Sequence, residues 1–148
     1  MTEPHRPFDE AEDVVEDTVD FDVAPPAHVD GALMISFGAV LPGREALAVE
    51  LFTELSRYLG KLLADEVIGA FKPYFFADGQ MGDVIGFFLV DGRRDRLDEL
   101  RRDESFVRMM LRAGAAVEHV RAQTLAAGSQ AGRLVNLYED VRHELGLI

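Results

Sequence analysis

FFLVDGRRDRLDELRRDESFVRMMLRAGAAVEHVRAQ, residues 87–123, contains two strand patterns on either side of a broken helical pattern. Its first apolar residues end a predicted strand over 83–91. Asp91 is placed to cap the helix that follows, and Asp103 to cap a second helical segment after a break. A fourth strand is predicted over 119–128. The order strand, broken helix, strand is the second half of an α+β domain.

The residues before this stretch supply the first half. Alternating apolar residues predict a strand over 31–41, and leucines spaced three and four apart predict a helix of about six turns over 44–67. Another strand is predicted over 70–78, followed by a glycine-containing hairpin loop over 79–82. Pro73 cannot donate to a strand ladder, so this strand is predicted to lie at a sheet edge or to contain a bulge.

The predicted order is β-α-β-β-α-β-α, and its first six elements predict a ferredoxin-like fold with a four-stranded antiparallel sheet. The chain of 148 residues divides into an acidic flexible arm over 1–30, the ferredoxin-like domain over 31–128 and a C-terminal amphipathic helix over 129–148. We expect this helix to dock on the domain or across a dimer. Its apolar face is formed by Leu134, Leu137, Val141 and Leu145.

Aromatic residues are expected on both faces of the sheet. Phe75-Phe76 and Phe87-Phe88 are consecutive pairs, and successive side chains of a strand point to opposite faces. Two helices cover one face of a four-stranded sheet, so the other apolar face needs a separate cover. The sequence therefore predicts a symmetric homodimer in which a second copy supplies that cover.

From about Gly31 to Gly128 the chain resembles the dimeric α/β-barrel superfamily, and most of all its uncharacterised bacterial members. The resemblance rests on the element order and on residues 87–123. The superfamily includes haem-degrading and quinone-forming monooxygenases, EthD-like and YciI-like proteins and relatives of chlorite dismutase. Haem-degrading members use an Asn, a Trp and a His together, whereas this chain has no Trp and its single Asn is Asn136. The resemblance therefore implies a dimeric barrel fold and assigns no catalytic residue.

Composition excludes several classes of function. The absence of cysteine excludes disulfides and thiolate nucleophiles, and no histidine spacing typical of a metal site occurs, so neither a metal nor a cofactor is expected. The net charge is −12, and the sequence has no basic stripe that would contact phosphates, so we expect no nucleic-acid partner. No signal peptide or long apolar run is present, so we expect a cytoplasmic protein with no membrane contact.

Most of the negative charge lies at the N-terminus. Residues 1–30 hold 10 acidic and 1 basic side chains, a net of −9, against a net of −3 for the remainder. Such a segment is typical of a solvated, disordered arm. Its interleaved valines and Phe21 leave a second interpretation open, in which the arm docks on a protein partner.

Two glycines inside predicted strands suggest a ligand site. Gly38 and Gly86 weaken their strands unless another group approaches closely. If both face the interior between two sheets, they leave room for a small ligand; alternatively, they relieve crowding by aromatic rings or mark bulges. The ligand-binding residues predicted in this way are Ser36, Gly38, Tyr74, Phe76, Gly86 and Phe88.

Three functions remain open. The first is a homodimeric protein that binds a small apolar or aromatic molecule, or an accessory protein. The second is a cofactor-independent monooxygenase or isomerase acting on an aromatic or apolar substrate, with His119, Tyr74 and Ser36 as catalytic candidates. His119 has an alternative role as a histidine stabilised at a helix C-terminus. The third is an interaction module working through the acidic arm.

Overall fold

A computed structural model describes residues 29–147, so all but the last two residues of the predicted arm lie outside the described part of the chain. Within this range, strands and helices follow the predicted order, including the division of the second helix into two segments. The elements are β1 (Gly31–Phe37), α1 (Glu45–Ala64), β2 (Ala70–Phe75), β3 (Gly86–Gly92), α2 (Arg94–Arg102), α3 (Glu104–Ala113), β4 (Arg121–Ala126) and α4 (Ser129–Glu144).

The four strands form one antiparallel sheet in the order β2-β3-β1-β4. This confirms the predicted α+β class and the four-stranded antiparallel sheet. β1 and β3 occupy the centre, where each strand has hydrogen-bonded neighbours on both sides. Pro73 lies in β2, an edge strand, as its missing N–H predicts.

The hydrophobic core lies on one face of the sheet, called here the core face. Leu33 of β1 pairs with Val90 of β3, and Ile35 pairs with Phe88. All four side chains are buried, and the helices cover them with leucines and a phenylalanine. The buried cluster consists of Leu33, Ile35, Leu55, Leu59, Ile68, Phe88, Val90, Leu97, Leu100 and Phe106.

The predicted break between α2 and α3 is confirmed at Asp103. The side chain of Asp103 accepts a hydrogen bond from the Ser105 backbone N–H at 3.2 Å, which satisfies one of the free donors at the start of α3. The Ser105 hydroxyl also lies 3.3 Å from the Tyr58 hydroxyl of α1, so the start of α3 is joined to α1. Partial burial raises the pKa of the Tyr58 hydroxyl.

The predicted capping role of Asp91 is wrong. Asp91 remains in β3, paired with Ala32 on one side and Ala70 on the other. The backbone N–H of Arg94, the first residue of α2, instead donates to the Asp30 carboxylate at 2.8 Å. A residue preceding β1 thus supplies the cap, which sequence proximity alone does not indicate.

The second face of the sheet, called here the open face, contains the alternate residues of each strand. At its centre Met34 of β1 pairs with Leu89 of β3, and Ser36 pairs with Phe87. The buried side chains of α1, α2 and α3 all pack on the core face. Helix α4 has no buried residue. Within residues 29–147, therefore, no helix covers the open face with a buried side chain.

Candidate functional site

An apolar cavity of about 350 Å³ lies between the core face and helices α1 and α3. It is open to solvent at one side, where Val49 and Phe75 are exposed, and its floor includes the buried Ile35 and Phe88. Apart from Ser36, whose side chain belongs to the other face of the sheet, its lining residues all have apolar side chains. The lining consists of Ile35, Ser36, Phe37, Val40, Ala48, Val49, Leu51, Phe52, Leu55, Phe75, Ile85, Phe88, Met109, Met110, Ala113, Ala116, Val117 and Val120.

Aromatic rings form much of the cavity wall. Phe52 of α1 lies 5.0 Å from Phe88 and 5.8 Å from Phe75 between ring centroids, and Phe37 contacts Phe75 edge-on at 5.9 Å. These separations fall in the favourable range for aromatic pairs. The rings hold one another in place, so this side of the cavity is formed before any ligand enters.

Small and flexible side chains provide the space. Ala48 of α1 and Ala113 of α3 face the cavity where larger residues would fill it. Met109 and Met110 contribute unbranched side chains that adapt to irregular shapes. The cavity therefore combines a rigid aromatic side with an adaptable side, which suits a small apolar or aromatic molecule.

A polar cluster lies at the start of β4. Arg121 donates two hydrogen bonds to the Asp83 carboxylate, at 2.6 and 3.1 Å, and His119 Nδ1 lies 3.7 Å from Asp83 Oδ2. The Arg121 hydrogen bonds hold the pKa of Asp83 below its usual range, with a smaller effect from His119, and Asp83 raises the pKa of Arg121. All three side chains are about half exposed. The cluster therefore pairs a fixed carboxylate with an accessible imidazole.

Backbone hydrogen bonds position this cluster. The Gly38 N–H donates to the Glu118 carbonyl at 2.7 Å, and the Glu118 N–H donates to the Ala39 carbonyl at 2.9 Å. A Cβ on Gly38 would lie 2.6 Å from the Asp83 carbonyl oxygen and 3.0 Å from that of Glu118. Three chain segments therefore meet where only glycine fits.

The two glycines are surrounded by protein atoms and leave no free space for a ligand. A Cβ on Gly86 would lie 2.6 Å from the Tyr74 carbonyl oxygen and 2.9 Å from the Phe75 ring. Gly38 is equally enclosed by backbone. The alternative interpretation, close approach of other groups, therefore describes the surroundings of both positions.

The six residues predicted to bind a ligand lie on different faces of the sheet. Ser36 and Tyr74 belong to the open face, in one row across the sheet with Phe87 between them. Phe76 joins them there, since its ring lies 6.1 Å from Phe87. Gly86 and Phe88 belong to the core face. Of the six, Ser36 and Phe88 border the cavity.

The three catalytic candidates are spread along the open face and its end. Tyr74 stacks on Phe87 at 5.3 Å, and Ser36 lies beyond Phe87, about two strand spacings or 10 Å from Tyr74. Ser36 pairs on its other side with Arg121 of β4. His119 precedes that strand and has a φ of 55°, which explains why β4 begins two residues later than predicted.

Sequence reasoning did not identify Asp83 or Arg121. Asp83 is the one charged residue of the stretch 79–90, Arg121 follows Glu118 and His119, and the two are 38 positions apart. Their proximity depends on the sheet order, which places the end of β4 beside the loop before β3. Met109 and Met110 lie on a helix, and helical spacing does not distinguish a packed interface from a cavity.

Residues 29–147 contain no group of three or more His, Cys, Asp or Glu side chains arranged to hold a metal ion. No helix in that range combines the length and the apolar character required to cross a membrane.

Comparisons with known proteins support the fold alone. No model of a known protein family matches the chain, and no curated protein sequence matches it. The structure is similar to the crystal structure of a conserved protein from Methanosarcina mazei Go1, with a TM-score of 0.50 and 12% sequence identity. The match covers 66% of this chain and 92% of that chain. At this identity the similarity shows a common α+β arrangement and gives no information on function.

Proposed function

We propose that this protein binds a small apolar or aromatic molecule in the cavity between the core face and helices α1 and α3. The observation that supports this most directly is the cavity itself, with a volume of about 350 Å³ and a wall of aromatic rings. Its size lies within the range of about 300–1,000 Å³ typical of small-ligand pockets. This proposal keeps the predicted class of ligand and places the site on the opposite face of the sheet from Tyr74 and Phe76.

We also propose that the domain is ferredoxin-like and that two copies pair through their open faces, as in the dimeric α/β barrels. The support is the strand order together with the antiparallel pairing, which makes β1 parallel to β2 and β3 parallel to β4. Helical segments connect both parallel pairs, as the split βαβ pattern requires. The half-buried Met34, Phe87 and Leu89 give the open face an apolar centre suited to a second copy.

Probe binding with two matched variants tests the ligand proposal. Ala48 of α1 lines the cavity, whereas Ala64 is exposed at the far end of the same helix. We expect the fluorescent apolar probe N-phenyl-1-naphthylamine to bind the full chain saturably, one per chain. Ala48→Phe fills the cavity and is expected to weaken binding by at least about tenfold, because a preformed pocket does not accept additional volume.

Ala64→Phe adds the same side chain outside the cavity and is expected to leave the affinity unchanged. Equal affinities for Ala48→Phe and Ala64→Phe would show that the probe binds elsewhere and would contradict the proposal. Circular dichroism of both variants confirms that each remains folded during the titration.

A further inference from the structure

The polar cluster adjoins the apolar cavity through His119. This residue lines a second depression, whose border includes Met110, Val117 and Val120. The same three residues line the main cavity. The depression at His119 therefore gives the cavity a polar neighbour, whereas the walls of the cavity itself are almost wholly apolar.

The imidazole of His119 lies beside a carboxylate that is itself held in place. Its Nδ1 lies 3.7 Å from Asp83 Oδ2, and Arg121 fixes that carboxylate with two hydrogen bonds. A negative charge beside Nδ1 favours the tautomer with its proton on that atom. Nε2 is then a hydrogen-bond acceptor.

The backbone reinforces this arrangement. His119 has a φ of 55°, a conformation that residues other than glycine rarely adopt. The preceding residue, Glu118, is hydrogen-bonded in both directions to the segment after β1, through Gly38 and Ala39. The position of His119 is therefore determined by contacts with two separate parts of the chain, the segment after β1 and the loop that contains Asp83.

We propose that the ligand is an amphiphile whose aromatic body occupies the cavity and whose hydroxyl group donates a hydrogen bond to His119 Nε2. This inference rests on the proposed function and extends it by naming the chemical class of the ligand. His119 supplies the polar recognition that the cavity lacks. Asp83 and Arg121 act as positioning residues, because they orient the imidazole and do not contact the ligand.

Two probes of nearly equal shape test the inference. 2-Naphthol has a hydroxyl where 2-methylnaphthalene has a methyl group, so the pair separates the apolar body from its polar head. In titrations of the full chain, His119→Asn is expected to lower the affinity for 2-naphthol by about tenfold, the scale of one lost hydrogen bond. Its affinity for 2-methylnaphthalene is expected to stay within about twofold, because no apolar contact changes.

Asparagine is chosen because it tolerates a positive φ better than most residues. His143→Asn makes the same change in α4, away from the cavity lining, and is expected to alter neither affinity. If His119→Asn misfolds and binds neither probe, Asp83→Asn takes its place. This variant keeps the imidazole but removes the carboxylate beside it, and the same selective loss of affinity for 2-naphthol is expected.

The outcomes separate the inference from the function on which it rests. An unchanged ratio of the two affinities in His119→Asn, or in Asp83→Asn when that variant takes its place, would overturn the role of His119 while leaving the cavity proposal intact. Failure of the wild-type chain to bind either probe would overturn the cavity proposal and this inference together.

Discussion

Helices α1 and α4 have similar apolar stripes and opposite environments. In α1, Leu51, Leu55 and Leu59 are buried, with exposed fractions of 6%, 7% and 0%. In α4, Leu137 and Val141 follow the same spacing, yet their exposed fractions are 48% and 47%. Both helices are amphipathic, but only α1 has the core face of the sheet against which to pack.

The difference shows that periodicity identifies an apolar stripe without identifying its partner. The stripe of α1 matches the core face, which the same chain provides. The stripe of α4 is unmatched within residues 29–147, as is the apolar centre of the open face. We infer that a second copy covers both surfaces, because one symmetric contact satisfies two unmatched surfaces at once.

The largest expected effect comes from removing a leucine from each helix. Leu59→Ala leaves a cavity in the buried cluster and is expected to lower the free energy of unfolding by about 2–5 kcal/mol. Leu137→Ala removes an exposed side chain and is expected to change the free energy of unfolding of the monomer by less than about 1 kcal/mol. Urea denaturation of both variants at low protein concentration measures the contrast, and equal losses would contradict it.

Two glycine substitutions sharpen the contrast between crowded and open positions. Gly86→Ala places a methyl group against the Tyr74 carbonyl and is expected to destabilise the fold by about 1–3 kcal/mol. Gly60 in α1 has no atom within 4 Å of its Cβ position, so Gly60→Ala is expected to stabilise by about 0.5–1 kcal/mol. Thermal denaturation shows whether each substitution raises or lowers the melting temperature. A lower melting temperature for Gly60→Ala would show that the helix is packed more tightly there.

The stripe of α4 is tested through association. Leu137→Glu places a charge on the apolar face and is expected to raise the dissociation constant of the proposed dimer by at least about tenfold, since an apolar interface excludes an unpaired charge. Asn136→Glu introduces the same charged side chain on the other side of α4, where Asn136 is exposed. It is expected to have little effect on the dissociation constant. Sedimentation velocity across a dilution series compares them, and similar constants for the two variants would place α4 outside the interface.

The smallest effect concerns Asp83, whose pKa is lowered by the hydrogen bonds from Arg121. A carboxyl group with a lowered folded-state pKa stabilises the fold above its unfolded-state pKa of about 4, and this contribution is lost as the pH falls through the folded-state value. The difference in melting temperature between wild type and Asp83→Asn is therefore expected to shrink below about pH 4. A difference that stays constant between pH 3 and pH 7 would show that ionisation of Asp83 does not contribute to the loss of stability in acid.

Local signals in the sequence were sufficient for the elements and for the class of fold. The alternation around Leu33, the leucine spacing in α1 and the break at Asp103 each arise from neighbours a few residues apart. Pro73 also indicated an edge strand correctly, because its missing N–H is a property of the residue itself. These features need no knowledge of the tertiary structure.

The candidate site depended on contacts that sequence patterns do not encode. The sequence left two interpretations of Gly38 and Gly86 open, and the carbonyl oxygens of Asp83 and Tyr74, which approach them closely, come from other parts of the chain. The cavity arises where Ala48 of α1 faces the sheet, and alanine is equally common in close-packed helices. Asp83 and Arg121 become partners through the order of the strands, which no local pattern specifies.

The most direct test of the inference that a second copy covers the open face and α4 is native mass spectrometry of the full chain at micromolar concentration. This account predicts a species of twice the mass of the chain, which Leu89→Glu on the open face converts to a single chain. A wild-type chain that remains monomeric across the same concentrations would contradict the account, because both apolar surfaces would then lack the proposed partner.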